Sequence, residues 1–184
     1  GQNCCIVGIH ACVDINGGSY WMSQDSFFLF DGSVKKLPCT VEQFIFNNLN
    51  VTGAENAFAG HNGEFNEIMW FYPRTGSDTI NAIVAYNYME GTWWTGTLDR
   101  TTWLDREVYD NPVATDYLPT TTANNEVISG LTDGATQLFL HETGNNGDGA
   151  AITAFVKSGV VQIGEGNDFA FVSKLIPDIE DQEG

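Results

Sequence analysis

The sequence predicts an all-β fold: antiparallel meanders arranged as propeller-like blades, a partial or open propeller, with one short helix inserted near residues 40–49. Three observations predict it. Runs rich in aromatic and β-branched residues, which suit half-buried pleated surfaces, recur between clusters of Gly, Asp, Asn and Ser that supply turns. The composition agrees, with 20 glycines, five prolines and 12% aromatic residues in a chain of 184. A strand–strand–turn–strand unit also occurs twice, at a spacing that suits four-stranded blades.

The clearest strands lie within residues 67–96, EIMWFYPRTGSDTINAIVAYNYMEGTWWTG. Residues 68–72 form one strand, 73–78 a turn, 80–88 a second strand, Glu90-Gly91 a tight turn and 92–98 a third strand. Side chains alternate along a strand, so adjacent Trp93 and Trp94 point to opposite faces. One enters a core; the other meets a neighbouring sheet, a partner or water.

Upstream, residues 4–9 are apolar, and 11–15 lead into Asn16-Gly17, the dipeptide that best accommodates a type I′ hairpin turn. Residues 18–23 return as a strand containing Tyr20 and Trp21, and 26–30 form the next before Asp31-Gly32. Thr40 and Gln43 have the spacing of a capping box. Val41, Phe44, Ile45 and Leu49 then follow at one helical face, a helix of two or three turns ending near Asn47-Asn48. So short a helix is marginal alone and must lie on the sheet. Residues 56–60 open the central meander.

Downstream, residues 101–126, with Pro112 and Pro119, read as a long excursion carrying one strand near Val113. A connection of that length is functional, disordered or an interface element. Residues 127–129, 137–142, 150–157, 160–163 and 169–176 read as strands, with a glycine-rich loop over 144–149. The expected domain is 1–177, a single β-rich unit, followed by an acidic flexible tail at 178–184. Gly1, in place of an initiator Met, reads as a processing scar or the cut end of a longer chain.

In the repeat, Tyr20-Trp21 through Gly32 matches Met69-Trp70 through Gly91. The two glycines lie 59 residues apart. Removing the helical insertion leaves roughly 42 to 44, the length of a four-stranded blade. A third unit is expected over residues 137–163. Two to three blades fall short of the four or more that close a ring. Either the chain is a fragment, or another copy completes the blades, or the fold is an open sandwich.

The strings YWMSQDSFFLFDG, LPCTVEQFIFNNLN and NEIMWFYPRTGSDTINAIVAYNYMEGTWWTGTLDRTTW, with FLHETG and GEGNDFAFVSKLIPDIED downstream, resemble the β-propeller region of the tail nozzle, or tubular tail, proteins of short-tailed bacteriophages. The likeness is one of pattern and covers most of residues 10–180. It implies a structural, non-enzymatic virion component, made in the bacterial host cytoplasm and built into a DNA conduit below the portal. It further implies a ring oligomer, a hexamer in the full-length protein, in contact with other tail or portal proteins. Members of that family are longer than this chain.

The charge balance bears on partners. With 24 acidic residues against seven Lys and Arg, the formal net charge is −17. Such a surface repels phosphate backbones and anionic lipids, which excludes nucleic-acid binding through a basic patch. Solubility or a salty environment explains the charge, as does a wall that a duplex slides past without sticking. No apolar run approaches the roughly 20 residues of a membrane span. Cys4, Cys5, Cys12 and Cys39 lack C-x-x-C spacing, and His10, His61 and His141 are scattered. A zinc site is therefore not expected, and reduced, partly buried thiols of an intracellular protein are. Asn50-Val51-Thr52 fits the N-glycosylation pattern, a tripeptide common by chance.

No hydrolase, metalloprotease, phosphate-loop or dinucleotide motif is present. Asp25, Glu64, Glu67 and Glu142 are candidates for a glycosidase carboxylate pair, although in a chain this acidic some pair falls within range by chance. His141-Glu142 is a candidate acid/base dyad, against the plainer reading of a strand-end pair. The loop Asn145-Asn146-Gly147-Asp148 offers oxygen ligands without EF-hand spacing, so a polar turn competes with a calcium site. Trp70, Trp93, Trp94 and Trp103 could stack on sugar rings or fill blade cores. No catalytic, cofactor-binding or metal residue is assigned. The competing expectation is a glycan-binding or glycan-cleaving β-propeller, with surface Trp and paired acids lining a central depression.

Overall fold

The computed structural model describes residues 4–117, 136–144, 146–147 and 150–151. It divides into two compact units, Gly1–Glu142 and Thr143–Gly184. Among the described residues of the first, eleven strands form three antiparallel sheets. Sheet 1 is the meander β1 (Cys12–Ile15), β2 (Gly18–Met22), β3 (Phe27–Phe30) and β4 (Val34–Lys36). Sheet 2 is the meander β5 (Phe58–Asn62), β6 (Glu67–Tyr72), β7 (Ala82–Asn87) and β8 (Thr92–Gly96). Sheet 3 has β9 (Thr102–Leu104), β10 (Val113–Tyr117) and β11 (Thr136–Leu140), with β10 central. A short hairpin of β12 (Asn146–Gly147) and β13 (Ala150–Ala151) belongs to the second unit. No sheet closes on itself among the described residues.

Each turn follows from its residues. Asn16 and Gly17 both adopt positive φ, 49° and 79°, as a type I′ hairpin demands. The repeat read from the sequence is real in register: Gly32 lies between β3 and β4, and Gly91 lies between β7 and β8. The meanders also follow one another regularly, because β1, β5 and β9 begin 46 and 44 residues apart. First strands neighbour first strands. His10, just before β1, makes a parallel bridge with Phe58, and the Ala59 N–H donates to the His10 carbonyl at 2.8 Å.

The sheets pack face to face, and the alternation of side chains decides which residue enters which core. Ile68, Trp70 and Tyr72 of β6, with Ala82 and Val84 of β7, join Met22 and Phe27 of sheet 1 in one buried cluster. The intervening Met69, Phe71, Ile83 and Ala85 join Phe58, Trp103 and Leu98 in a second cluster, toward sheet 3. Sheet 2 is therefore covered on both faces. Trp70 is fully buried, lies 4.7 Å from the Phe27 ring and donates its indole N–H to the Ala11 carbonyl at 3.2 Å.

The helix α1 spans Glu42–Asn48 and closes the core between sheets 1 and 2 with Ile45 and the following Leu49. Two expectations about it are corrected. No capping box forms: Val41 is the N-cap residue and no side chain caps the helix, while the first-turn Glu42 instead binds Lys36 at 2.9 Å. The buried stripe also runs through Val41, Ile45 and Leu49 with Phe46 beside it. Phe44 is half exposed, 5.8 Å beneath the Arg74 guanidinium. With four-residue spacing setting the stripe, Phe46 falls on the side that faces the Phe27 ring, 5.3 Å away.

Within the excursion expected over 101–126, the strand near Val113 is present as β10, but the loose reading is corrected in the described part, because β9 also lies there and both are strands of sheet 3. The third unit thus begins near Thr102 and not at residue 137. None of the four cysteines is in a disulfide, but only Cys39 is partly buried, with its thiol pushed up to about 11 by burial; Cys4, Cys5 and Cys12 are exposed. Strands expected over 127–129, 160–163 and 169–176, and the tail at 178–184, lie outside the described residues.

Candidate functional site

Polar side chains gather at one end of sheet 2. There β5 ends in Asn62 and β6 begins with Glu67, directly opposite it in the ladder. Both side chains lie on the face toward sheet 3, as does Trp94 on β8, by the alternation that puts Trp93 in the other core. The Trp94 indole N–H donates to Glu67 Oε1 at 2.6 Å, and the residue is 41% exposed. Glu142 arrives from beyond β11 in a left-handed conformation, φ 56°, and its Oε1 accepts from Asn62 Nδ2 at 3.2 Å. Its carbonyl accepts from Asn111 Nδ2 at 3.2 Å.

Burial raises the Glu67 carboxyl above the ordinary carboxylate range; the Trp94 hydrogen bond opposes this, and the Glu142 charge adds to it. Asn62 is 2% exposed, and among the described residues its Oδ1 has no hydrogen-bond partner. A buried carbonyl left in that state is costly.

A second network fastens the same turn. Asp105 Oδ2 lies 3.1 Å from His61 Nδ1 and accepts from the Gly63 N–H at 2.9 Å. His61 Nε2 lies 3.3 Å from the Tyr88 hydroxyl, which donates to Asn66 Oδ1 at 3.3 Å. The Trp103 indole donates to the His61 carbonyl at 2.8 Å. A carboxylate thus orients an imidazole, but that imidazole faces a phenol and not a serine or cysteine. Its evident work is to tie the segment after β9 to the β5–β6 turn.

Of the four candidate carboxylates, the fold brings Glu67 and Glu142 together. Asp25 lies in the β2–β3 turn and accepts from the Ser23 hydroxyl at 3.2 Å. Glu64 pairs with Arg106 at 3.0 Å. The His141-Glu142 dyad is corrected: His141 Nε2 accepts from Arg100 Nε at 3.0 Å, whereas Glu142 binds Asn62. Burial and the adjacent guanidinium push the His141 pKa down to about 4, and its ring rests 4.8 Å from Trp103. Among the tryptophans, Trp70, Trp93 and Trp103 pack into cores, and Trp94 alone of the four keeps an accessible ring. Of the proposed calcium loop, Asn145 and Asp148 lie outside the described residues; Asn146 and Gly147 form β12.

Sequence reasoning missed Asn62 and Asp105. A signal existed for Asn62, since β5 alternates buried and half-buried from Phe58 to Asn62 and parity places Asn62 inward with Phe58. Asp105 carried none. An open cleft of about 490 Å³ lies where the first strands meet, lined by His10, Cys12, Phe58 and Trp103 but by no carboxylate. Neither Glu67 nor Glu142 lines this cleft. Among the described residues no three His, Cys, Asp or Glu side chains group to hold a metal ion, and no helix is long and apolar enough to cross a membrane. No protein-family model matches the sequence, and no curated protein matches it either.

Proposed function

We propose that the chain is a structural module of a short-tailed bacteriophage tail, a stretch of propeller-like blades in the tail nozzle, contributing to a DNA conduit and to subunit contacts. The observation that carries this reading is the stacking of successive meanders, with sheet 2 buried on both faces and first strand beside first strand. That is the local geometry from which radial blades are built. The net charge of −17 supports a wall past which a duplex slides without adhering. In this reading the module performs no reaction, assembles as a ring with other copies and meets tail or portal proteins in the virion. The genomic frame that encodes it tests the class: flanking portal and tail genes support the proposal, and a frame among carbohydrate-utilisation genes overturns it.

A second reading, a glycan-binding blade surface, is favoured by one observation: the accessible Trp94 ring beside Glu67, near Glu142. Aromatic platforms with adjacent carboxylates hold sugars by stacking and hydrogen bonding. A glycan array run with Trp94→Ala separates the two. Strong saccharide binding that vanishes in the variant defeats the structural reading.

A further inference from the structure

We propose that Glu67, Glu142 and the side-chain carbonyl of Asn62 form a binding site for a hard divalent cation, calcium, at the end of sheet 2. The inference is independent of any role in a virion.

The first ground is charge. Among the described residues the five Lys and Arg side chains are engaged elsewhere. Lys35 binds Asp31, Lys36 binds Glu42, and Arg106 binds Glu64. Arg100 faces Asp116 and His141, and Arg74 donates to the Gly96 carbonyl. None reaches Glu67 or Glu142. Among the described residues, two carboxylates close enough to perturb one another are thus left without a basic side chain.

The second ground is independent of charge. Asn62 is buried and its Oδ1 is unpartnered, although its Nδ2 is bound to Glu142 and its backbone lies opposite Glu67. The amide thus touches Glu142 through its nitrogen and shares a sheet face with Glu67. Glu67 Oε1 is occupied by the Trp94 indole and Glu142 Oε1 by Asn62 Nδ2. Three oxygens remain for a ligand: Glu67 Oε2, Glu142 Oε2 and Asn62 Oδ1. An all-oxygen set with two negative charges selects a hard divalent ion over zinc or copper. The donors come from three separate chain segments, and calcium tolerates such irregular geometry with water completing its shell, whereas magnesium demands a tight octahedron. With three protein donors the affinity belongs to the weak class, a Kd of about 0.1–1 mM.

Terbium, a luminescent stand-in for calcium, provides the test on the full chain, because a bound ion beside Trp94 is sensitised by indole excitation. Calcium should displace terbium saturably and raise Tm by a few degrees. Glu67→Gln and Glu142→Gln preserve shape while removing charge, and each should weaken binding at least tenfold; Glu64→Gln, at the same end but paired with Arg106, should leave it unchanged. Trp94→Phe should remove most of the sensitised emission while keeping the calcium-induced rise in Tm. Should Glu67→Gln fail to fold, Glu142→Gln, at an exposed residue, carries the test alone. The proposal is overturned if calcium gives no saturable response up to about 10 mM. It is equally overturned if both glutamine variants bind like the parent, which would mean diffuse attraction to an acidic surface. Magnesium binding as tight as calcium would overturn the choice of ion.

Discussion

Substituting Gly60 by alanine should loosen the molecule at one interface, that between sheets 2 and 3. Gly60 lies on β5, and a Cβ there would stand 2.8 Å from Trp103 Cδ1, 3.0 Å from Cγ and 3.2 Å from Cβ. These atoms are the root of a partly buried indole, tied down by its bond to the His61 carbonyl, so they cannot swing aside as a flexible chain end would. Either the ring leaves its rotamer or the sheets separate. Overpacking of this kind costs about 1–3 kcal/mol, and the entropy advantage of Ala over Gly in a strand returns about 0.5–1 kcal/mol. The net expectation is a loss of roughly 1–2 kcal/mol, read as a fall in Tm of about 2–8 °C for a chain this long. Urea denaturation of Gly60→Ala, Trp103→Leu and the double variant isolates the contact, because removing the indole removes the clash. The double variant should be more stable than the sum of the singles by about 1 kcal/mol. A parent-like Gly60→Ala protein, or an additive cycle, would refute the face-to-face packing of these sheets.

The two adjacent tryptophans should differ. Trp93 stacks among Phe27, Trp70 and Tyr86 and donates to the Pro38 carbonyl at 2.9 Å, so Trp93→Ala should cost about 3 kcal/mol, against about 1 kcal/mol or less for the more exposed Trp94→Ala, as read by chemical denaturation. Acid should destabilise the fold through His141, whose folded pKa of about 4 lies below the ordinary 6.5. The unfolded chain binds the extra proton between those values. His141 therefore contributes stability above pH 6.5 that is lost as pH falls toward 4, on the order of 1–2 kcal/mol after allowance for solvent screening. His141→Asn, which cannot take up that proton, should flatten that part of the pH–stability curve. Sodium chloride between 0.02 and 0.5 M, concentrations chosen to bring the Debye length from about 20 Å to about 4 Å, should raise Tm, because a chain of net charge −17 repels itself; a Tm that is flat or falls with salt would contradict it.

Much of sheets 1 and 2 was legible because their strands are long enough to show a period and their turns carry distinctive residues. Asn16-Gly17 and Gly91 mark turns where φ is positive, and the spacing of Gly32 from Gly91 betrays the repeat. Sheet 3 was hidden for physical reasons. β9 is three residues long, β10 reads Val-Ala-Thr-Asp-Tyr with little apolar contrast, and β11 follows only after a gap of 18 residues in the chain. At the site, Glu67 and Glu142 were singled out by type alone. What joins them is the Asn62 amide, a long-range contact across 80 positions that no local pattern announces. The helix cap failed because a box of Thr40 and Gln43 matches in spacing, yet the chain enters the helix at Val41.

One part of the hidden layer was nonetheless implied by β6. A strand with one wet face alternates apolar and polar residues, but Ile68, Met69, Trp70, Phe71 and Tyr72 are apolar or aromatic without a break, and all are buried. Sheet 1 can cover only Ile68, Trp70 and Tyr72, since the other residues face away from it. Met69 and Phe71 then require a third layer, and burying two such side chains supplies about 3–6 kcal/mol, enough to hold short strands that would not form alone. Phe71 meets the Phe58 ring at 4.5 Å and the Trp103 ring at 5.9 Å, so β9 exists where that second face needs it. An unbroken apolar strand inside an antiparallel meander is thus a count of layers: it demands a sheet on each side, even where the second sheet leaves almost no trace in the sequence.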